Sequence, residues 1–311
     1  MPSADEPIPY LERTRDYYAA LGYVEAYRWA AFADVPFAPL GKPLRECRVS
    51  LVTTAAPYRP GLGEQGPGAA YNGAAKFHDV YSLPVAPPPD LRISHVTYDR
   101  RHARVEDPAV FLPLGALGEA CREGRIGALA SRLHSAPTLR SQRATLRRHA
   151  PEVLQRLRED GADVALLVAV CPVCHQTMTL VARYLEQHGV PTVVMGCALD
   201  IVERCGAPRY LWSDFPLGNP CGRAHDSESQ RQTLELALRL LERATAPRSI
   251  ERSPLRWSAD SAWKRDFLNV EGLGTEELAR LREEFEREKA SAARARALAT
   301  SLSPGTGTAS P

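Results

Sequence analysis

The sequence predicts an α/β protein: an open, mostly parallel sheet with helices on both faces, plus an N-terminal helix and a C-terminal helix with a disordered tail. Three observations lead there. From about residue 150, apolar runs of strand length alternate with amphipathic stretches of helix length, and right-handed crossovers turn that alternation into a parallel sheet covered by helices. Residues Val164 to Val170 are apolar without a break, as a central strand buried on both sides requires. The chain of 311 residues, 44% hydrophobic and 24% charged, is long enough and apolar enough for one large core.

Taken in order, residues 8–21 have helical apolar spacing and stop at Gly22, and a Pro-rich connection runs from Val35-Pro36 to Lys42-Pro43. Arg48 to Thr54 is a short β-rich run, Pro57 to Gly68 a long loop, and Leu91 to Thr97 a second strand. Phe111 to Leu114 leads into a helix near 114–123, and Ile126 to Leu129 is a third strand. The regular part follows: helix Glu152–Asp160, strand Asp163–Val170, helix Val173–His188, strand Pro191–Met195, helix Leu199–Cys205, strand Arg209–Trp212 and helix Ser227–Ala246. Glu276 to Leu298 is a charged, Ala-rich helix, and Ser301 to Pro311 has a disordered composition. These boundaries divide the chain into an N-terminal helical extension (1–44), an α/β domain (45–250), a C-terminal helical extension (251–300) and a tail (301–311).

Composition narrows the function. A net charge of +2 is too balanced to imply nucleic acid, and no partner follows from it. No apolar segment approaches the ~20 residues of a membrane span. The first residues lack a basic segment followed by an apolar one, so a cytoplasmic location is expected. There, seven cysteines point to catalysis, metal binding or simple burial rather than a disulfide framework.

Residues 168–177, VAVCPVCHQT, contain CxxCH. Haem attachment is disfavoured by the buried strand before it and by the missing export signal. A structural zinc site needs a second ligand pair, and Cys197, Cys205 and Cys221 form no second CxxC. A redox thiol pair has a physical mechanism. A strand ending at Val170 delivers Cys171 to the carboxyl edge of the sheet, where open α/β folds bind ligands. The next helix turns its unpaired N–H groups and dipole toward that place. A thiol of ordinary pKa ~8.5 ionises more readily there, and an imidazolium, such as one at His175, adds to the effect. Pro172 suits the first helical position, and Cys174 stands one turn on, placed to attack a sulfur on Cys171. Two buried cysteines acting as small hydrophobes are the plain alternative.

From Cys47 to about Leu241 the chain resembles the selenoprotein B family of glycine/sarcosine/betaine and D-proline reductases. The resemblance is carried by Val49 to Ala56, Ile93 to Asp99, Val110 to Leu114 before Glu123 to Ile126, the strand-CxxC-helix unit, Gly189 to Val193, and Phe215 to Pro220. It implies that Cys171 occupies the position where many members carry selenocysteine. It implies further that this position attacks the carbon bearing the leaving amine, that the amine is activated by a pyruvoyl group on a separate subunit, and that a dithiol restores the site. No cofactor is then bound in this chain. A Ser-Cys or Thr-Cys junction resembling a pyruvoyl precursor is absent from the sequence, so a partner supplies that group, and the electrons come from an external dithiol or a thioredoxin-like donor.

On this reading Cys171 is the nucleophile and Cys174 the resolving thiol. His175 tunes the thiolate or protonates the leaving group, or else covers the first helical turn. His95 and Asp99, closing another strand at the same sheet edge, and Asn219, in the turn Phe215 to Gly222, are candidate substrate contacts. His95 reads equally as a hydrogen-bonded structural residue, and Cys221 as a third redox thiol or a buried one. Two motifs are set aside. Gly61 to Gly66 matches GxGxxG, but Pro67-Gly68 precludes the helix a pyrophosphate needs. Leu139 to His149 is Arg-rich without aromatics and reads as a solvated face. The competing functional class is a zinc-binding structural or regulatory protein using Cys171, Cys174, His175 and a distant cysteine, and a third is a non-catalytic scaffold subunit.

Overall fold

A computed structural model describes residues 6–23, 25–65, 75–95 and 97–302. Its centre is an eight-stranded sheet formed by β1 (Arg48–Thr53), β3 (Ser82–Pro84), β5 (Ala128–Leu129), β6 (Arg132–Ser135), β7 (Val164–Val168), β8 (Thr192–Gly196), β9 (Arg209–Trp212) and β10 (Ser249–Arg252). The order is β10-β9-β8-β7-β1-β6-β3, with β5 pairing the start of β1 on the edge that β6 takes further along. All pairs are parallel except β3 with β6. Every residue of β7 and β8 is buried, in agreement with the apolar runs Val164 to Val168 and Val193 to Met195.

Helices cover both faces. On one side α4 (Ala150–Glu159), α5 (Pro172–Gln187) and α6 (Leu199–Cys205) pack side by side, while α2 (Leu114–Arg122) packs with α7 (Ser227–Arg243). The N-terminal α1 (Tyr10–Ala20) lies against α6, where Asp200 accepts the Leu11 N–H at 2.8 Å. The C-terminal α8 runs from Thr275 to Leu302. The expected tail falls, past Leu302, outside the described residues.

Two expectations are corrected. The second strand is only β4 (Leu91–Arg92), paired antiparallel with β2 (Ala56–Pro57) outside the main sheet. Beyond Arg92 the polar side chains of Ser94, His95 and Thr97 turn inward, so the backbone leaves the ladder. The helix expected from Glu152 starts earlier, with α3 (Gln142–Ala144) and a π-helical turn at Thr145–His149 leading into α4. Pro151 lacks the N–H of a regular turn, and the wide turn, in which Ala150 N–H reaches Thr145 O, carries the helix past it. Arg143, Arg147 and Arg148 on this segment are exposed.

The topology fixes one special place. After β1 the chain works toward β6, whereas after β7 it passes through α5 to β8 on the other side. β1 and β7 are neighbours in register, with Thr53 opposite Val168. Their carboxyl ends therefore diverge and leave a crevice, the position at which open α/β sheets bind ligands.

Candidate active site

Cys171 follows β7 into that crevice. With φ −138° and ψ 167° it is the extended N-cap of α5, Pro172 takes the first helical turn, and Cys171 Sγ accepts the Cys174 N–H at 3.2 Å. The local sequence explains each step: the apolar strand ends, proline presets the helical φ, and a sulfur stands where helix N–H groups lack partners. Cys171 and Cys174 are joined as a disulfide with Cα atoms 4.9 Å apart. Thr138, from the loop after β6, donates its hydroxyl to Cys174 Sγ at 3.7 Å.

His95 comes in from the excursion between β4 and α2. One of its ring nitrogens and the two sulfurs lie within 4.8 Å of one another. Its Nδ1 is buried and has no hydrogen-bond partner. Burial, reinforced by Lys76, depresses its pKa to about 3, so the imidazole is neutral.

His175 is elsewhere in the chemistry. It is fully buried; Nδ1 lies 2.7 Å from Cys171 O, while Nε2 faces the N–H groups of Cys197 at 2.8 Å and Ala198 at 3.1 Å. Two amide donors on Nε2 assign the proton to Nδ1, which donates to the carbonyl. Burial lowers its pKa to about 4. The expected imidazolium is thus corrected: both nitrogens are committed to backbone, and the ring ties the start of α5 to the loop after β8. Gly196 is required beside it, because a Cβ there would overlap the imidazole. For the same reason a zinc site built on His175 loses that ligand.

The remaining candidates do not join the cleft. Asn219 is fully buried and clips the 104 backbone, accepting from Arg104 N–H at 3.0 Å and donating to Arg104 O at 3.4 Å. Asp99 Oδ1 accepts the N–H groups of Arg101 and His102, and its Asp99 N–H bonds Leu217 O; burial raises its pKa. The two residues hold the 98–104 loop to the Phe215–Gly222 turn. Cys221 is fully buried and burial pushes its thiol far up, and Cys205 is pushed to about 12; neither is poised to react at neutral pH. In the GxGxxG stretch, Gln65 closes a turn on the Arg59 backbone, and Gly66 lies outside the described residues.

Over the sulfurs opens a cleft of about 820 Å³, floored by His95, Thr138, Cys171 and Val173. Its roof is aromatic and comes from both ends of the chain: Tyr18, Tyr23, Tyr27 and Trp29 from the N-terminal segment and Phe285 from α8. Phe285 meets Tyr18 and Tyr23 edge-on at 5.5 and 5.4 Å between ring centroids. Gln176 fastens the roof, accepting the Ala30 N–H at 2.7 Å and donating to the Tyr27 hydroxyl at 2.6 Å. Arg15, Lys76, Arg140 and Lys289 line the cleft against two acids, Asp16 and Glu25. Sequence reasoning passed over Thr138, Gln176 and the roof. The density of aromatics between Tyr17 and Trp29 was their one signal.

Among described residues no helix is long and apolar enough to cross a membrane. No family model matches the chain, and no solved structure matches it. Curated relatives do. The chain is 27% identical to D-proline reductase subunit gamma of Acetoanaerobium sticklandii over 194 residues, 62% of this chain and 77% of the relative. It is 25% identical to the sarcosine reductase complex component B subunit beta of Peptoclostridium acidaminophilum over 214 residues, 67% of this chain and 48% of that one. The betaine reductase complex component B subunit beta of the same organism is 26% identical over 117 residues, 37% and 27% of the two chains. At 25–27% identity, the chain is similar to subunits of the D-proline, sarcosine and betaine reductases, and these similarities support a reductase family.

Proposed function

We propose that the chain is the thiol-bearing subunit of a reductase complex in which the reduced Cys171–Cys174 pair cleaves a carbon–nitrogen, or related carbon–heteroatom, bond of a small amine or amino-acid-like substrate. The observation that carries this reading is the position of Cys171 Sγ: N-cap of α5, at the topological switch, lining the cleft and within bonding reach of Cys174.

The steps balance. Cys171 thiolate attacks the substrate carbon and the leaving amine departs with a proton. Cys174 thiolate then attacks Cys171 Sγ, the carbon keeps the bonding pair and takes a second proton, and the protein is left as a disulfide. Net, one carbon–heteroatom bond and two S–H bonds become one C–H, one N–H and one S–S bond. An external dithiol or thioredoxin-like donor returns the two electrons. The helix N-terminus stabilises the attacking anion, and the excess of cationic residues in the cleft suits a substrate carboxylate. A pyruvoyl group, where the amine needs activation, comes from a partner subunit, since this chain has no Ser-Cys or Thr-Cys junction. On this reading His95 exchanges a proton with the sulfurs, a role supported by its ring nitrogen lying within 4.8 Å of both, while the ring of His175 bonds backbone groups.

The test is mass spectrometry of the peptide bearing both cysteines, in reduced protein supplied with its partner subunits and candidate amines. Loss of two hydrogens in step with substrate consumption is expected, and Cys171→Ser should abolish turnover. Unchanged turnover in Cys171→Ser would reduce this chain to a scaffold.

A further inference from the structure

The cleft floor brings together two sulfurs and an imidazole nitrogen within 4.8 Å of one another. The electrons of the redox step are carried by the sulfurs alone, and an imidazole beside two thiolates offers more than proton exchange. His95 is 8% exposed, and its Nδ1 has no hydrogen-bond partner. Leaving such a nitrogen buried and unpaired is unfavourable, a cost that a bound electrophile removes. His175, only one residue past Cys174, does not compete, because backbone groups occupy both its nitrogens.

Two thiolates and one imidazole form a set that favours Zn²⁺. Bond lengths of about 2.3 Å to sulfur and about 2.0 Å to nitrogen place the ligand atoms of a tetrahedral site roughly 3.5 Å apart, so side-chain adjustments of about an ångström close this one. A fourth protein ligand is lacking among the described residues of the cluster, and Cys171 and His95 both border the cleft. Three protein ligands with one open direction are the pattern of exchangeable, substrate-accessible zinc rather than of a closed structural site.

We propose that the reduced form of this protein binds one zinc ion through Cys171, Cys174 and His95, with the fourth position facing the cleft, and that the ion and the disulfide exclude each other. Reduction of the disulfide by an external dithiol delivers two electrons and two protons and leaves two thiols. Zinc then displaces both thiol protons to solvent, and no electron passes to the metal. Oxidation back to the disulfide consumes both thiolates and releases the ion. Zinc therefore inhibits any chemistry that uses the free dithiol, and holds the pair in its reduced state. The inference needs the reduced pair and not turnover.

Full-length protein, reduced with a phosphine and freed of reductant without air, is titrated with Zn²⁺ against a chromophoric chelator, and with Cd²⁺ read by its thiolate charge-transfer band. One equivalent is expected for reduced protein and none for oxidised protein. Cys171→Ser should abolish binding; His95→Gln should weaken it about tenfold or more while keeping the cadmium–thiolate band. Cys121→Ser, which removes a thiol outside the cluster, should change nothing. A readout free of mutation comes from alkylation: stoichiometric zinc should protect Cys171 and Cys174 together in the unaltered protein, as seen by peptide mass spectrometry. The proposal is overturned if reduced protein takes up no zinc, if binding survives Cys171→Ser, or if His95→Gln binds as tightly as the parent. Zinc binding without amine turnover would leave this proposal standing and defeat the reductase reading; turnover without zinc binding would do the opposite.

Discussion

At the residue scale, His95 and His175 exchange the parts that spacing assigns them. His175 is adjacent to CxxC in sequence, yet its ring turns across the helix start and bonds three backbone groups from two loops. Replacing it with alanine strands the Cys197 and Ala198 N–H groups in a dry interior and leaves a cavity. We expect His175→Ala to cost about 3 kcal/mol or more in urea unfolding; a variant as stable as its parent would contradict the clamp. His95, 76 residues before Cys171, was legible as a candidate because it lies in a matching motif. Its distance to the sulfurs was not, since the path of a loop is set by what it packs on and not by periodicity. Asn219 and Asp99 illustrate the same limit: polar side chains in loops near a sheet edge look alike in sequence whether they meet substrate or hold backbone.

At the element scale, α5 carries two functions on consecutive turns. Its first turn holds the sulfurs; Gln176, just beyond, grips Tyr27 and Ala30 of the roof. Gln176→Ala should loosen that segment while leaving the sheet intact. The expected result is a several-fold faster alkylation of reduced Cys171 with little change in unfolding midpoint, and unaltered alkylation would show that the grip does not control access. Elements were readable in proportion to their burial. β7, β8 and β9 are buried along their whole length, so their sequences are apolar runs broken only by Thr192 and Arg209 at the strand starts and Gly196 at the end of β8. The edge strands β3 and β10 are half-exposed and carry no such run, and both escaped detection. At the far end of α5, Glu186 and Arg209 form a fully buried pair at 2.6 Å, with Thr192 and the Ala38 backbone completing the contacts. Nothing in the spacing of an acid and a base 23 residues apart reveals such a pair.

At the scale of the whole molecule, four buried histidines decide the response to acid. Burial lowers the pKa of His95 to about 3, of His134 and His175 to about 4, and that of His149 as well. Unfolding frees each to titrate near its ordinary 6.5, so the unfolded chain binds protons first as the pH falls. Their stabilising contribution is complete above pH 6.5 and is lost on the way down to about 4. For His175 alone that interval is worth on the order of 3 kcal/mol. Asp200, pushed by burial to about 6, acts with the opposite sign over part of the range, as do Asp99 and Glu186, which burial also raises. With the histidines dominant, the urea midpoint should drop clearly from pH 7.5 to 4.5; a midpoint that holds or rises would refute the balance. The aromatic canopy has a different consequence. Because Tyr18, Tyr23, Tyr27, Trp29 and Phe285 all lie outside the strands, and the floor is fixed at the carboxyl edge of the sheet, the canopy can swing aside without any strand parting from its neighbour. What α8 surrenders there are edge-on ring contacts at about 0.5–1.5 kcal/mol each, the Tyr23–Glu286 hydrogen bond and the Arg282 and Lys289 cations over the Tyr23 ring, and no strand pairing, so traffic through the doorway is separated from the free energy that keeps the sheet folded.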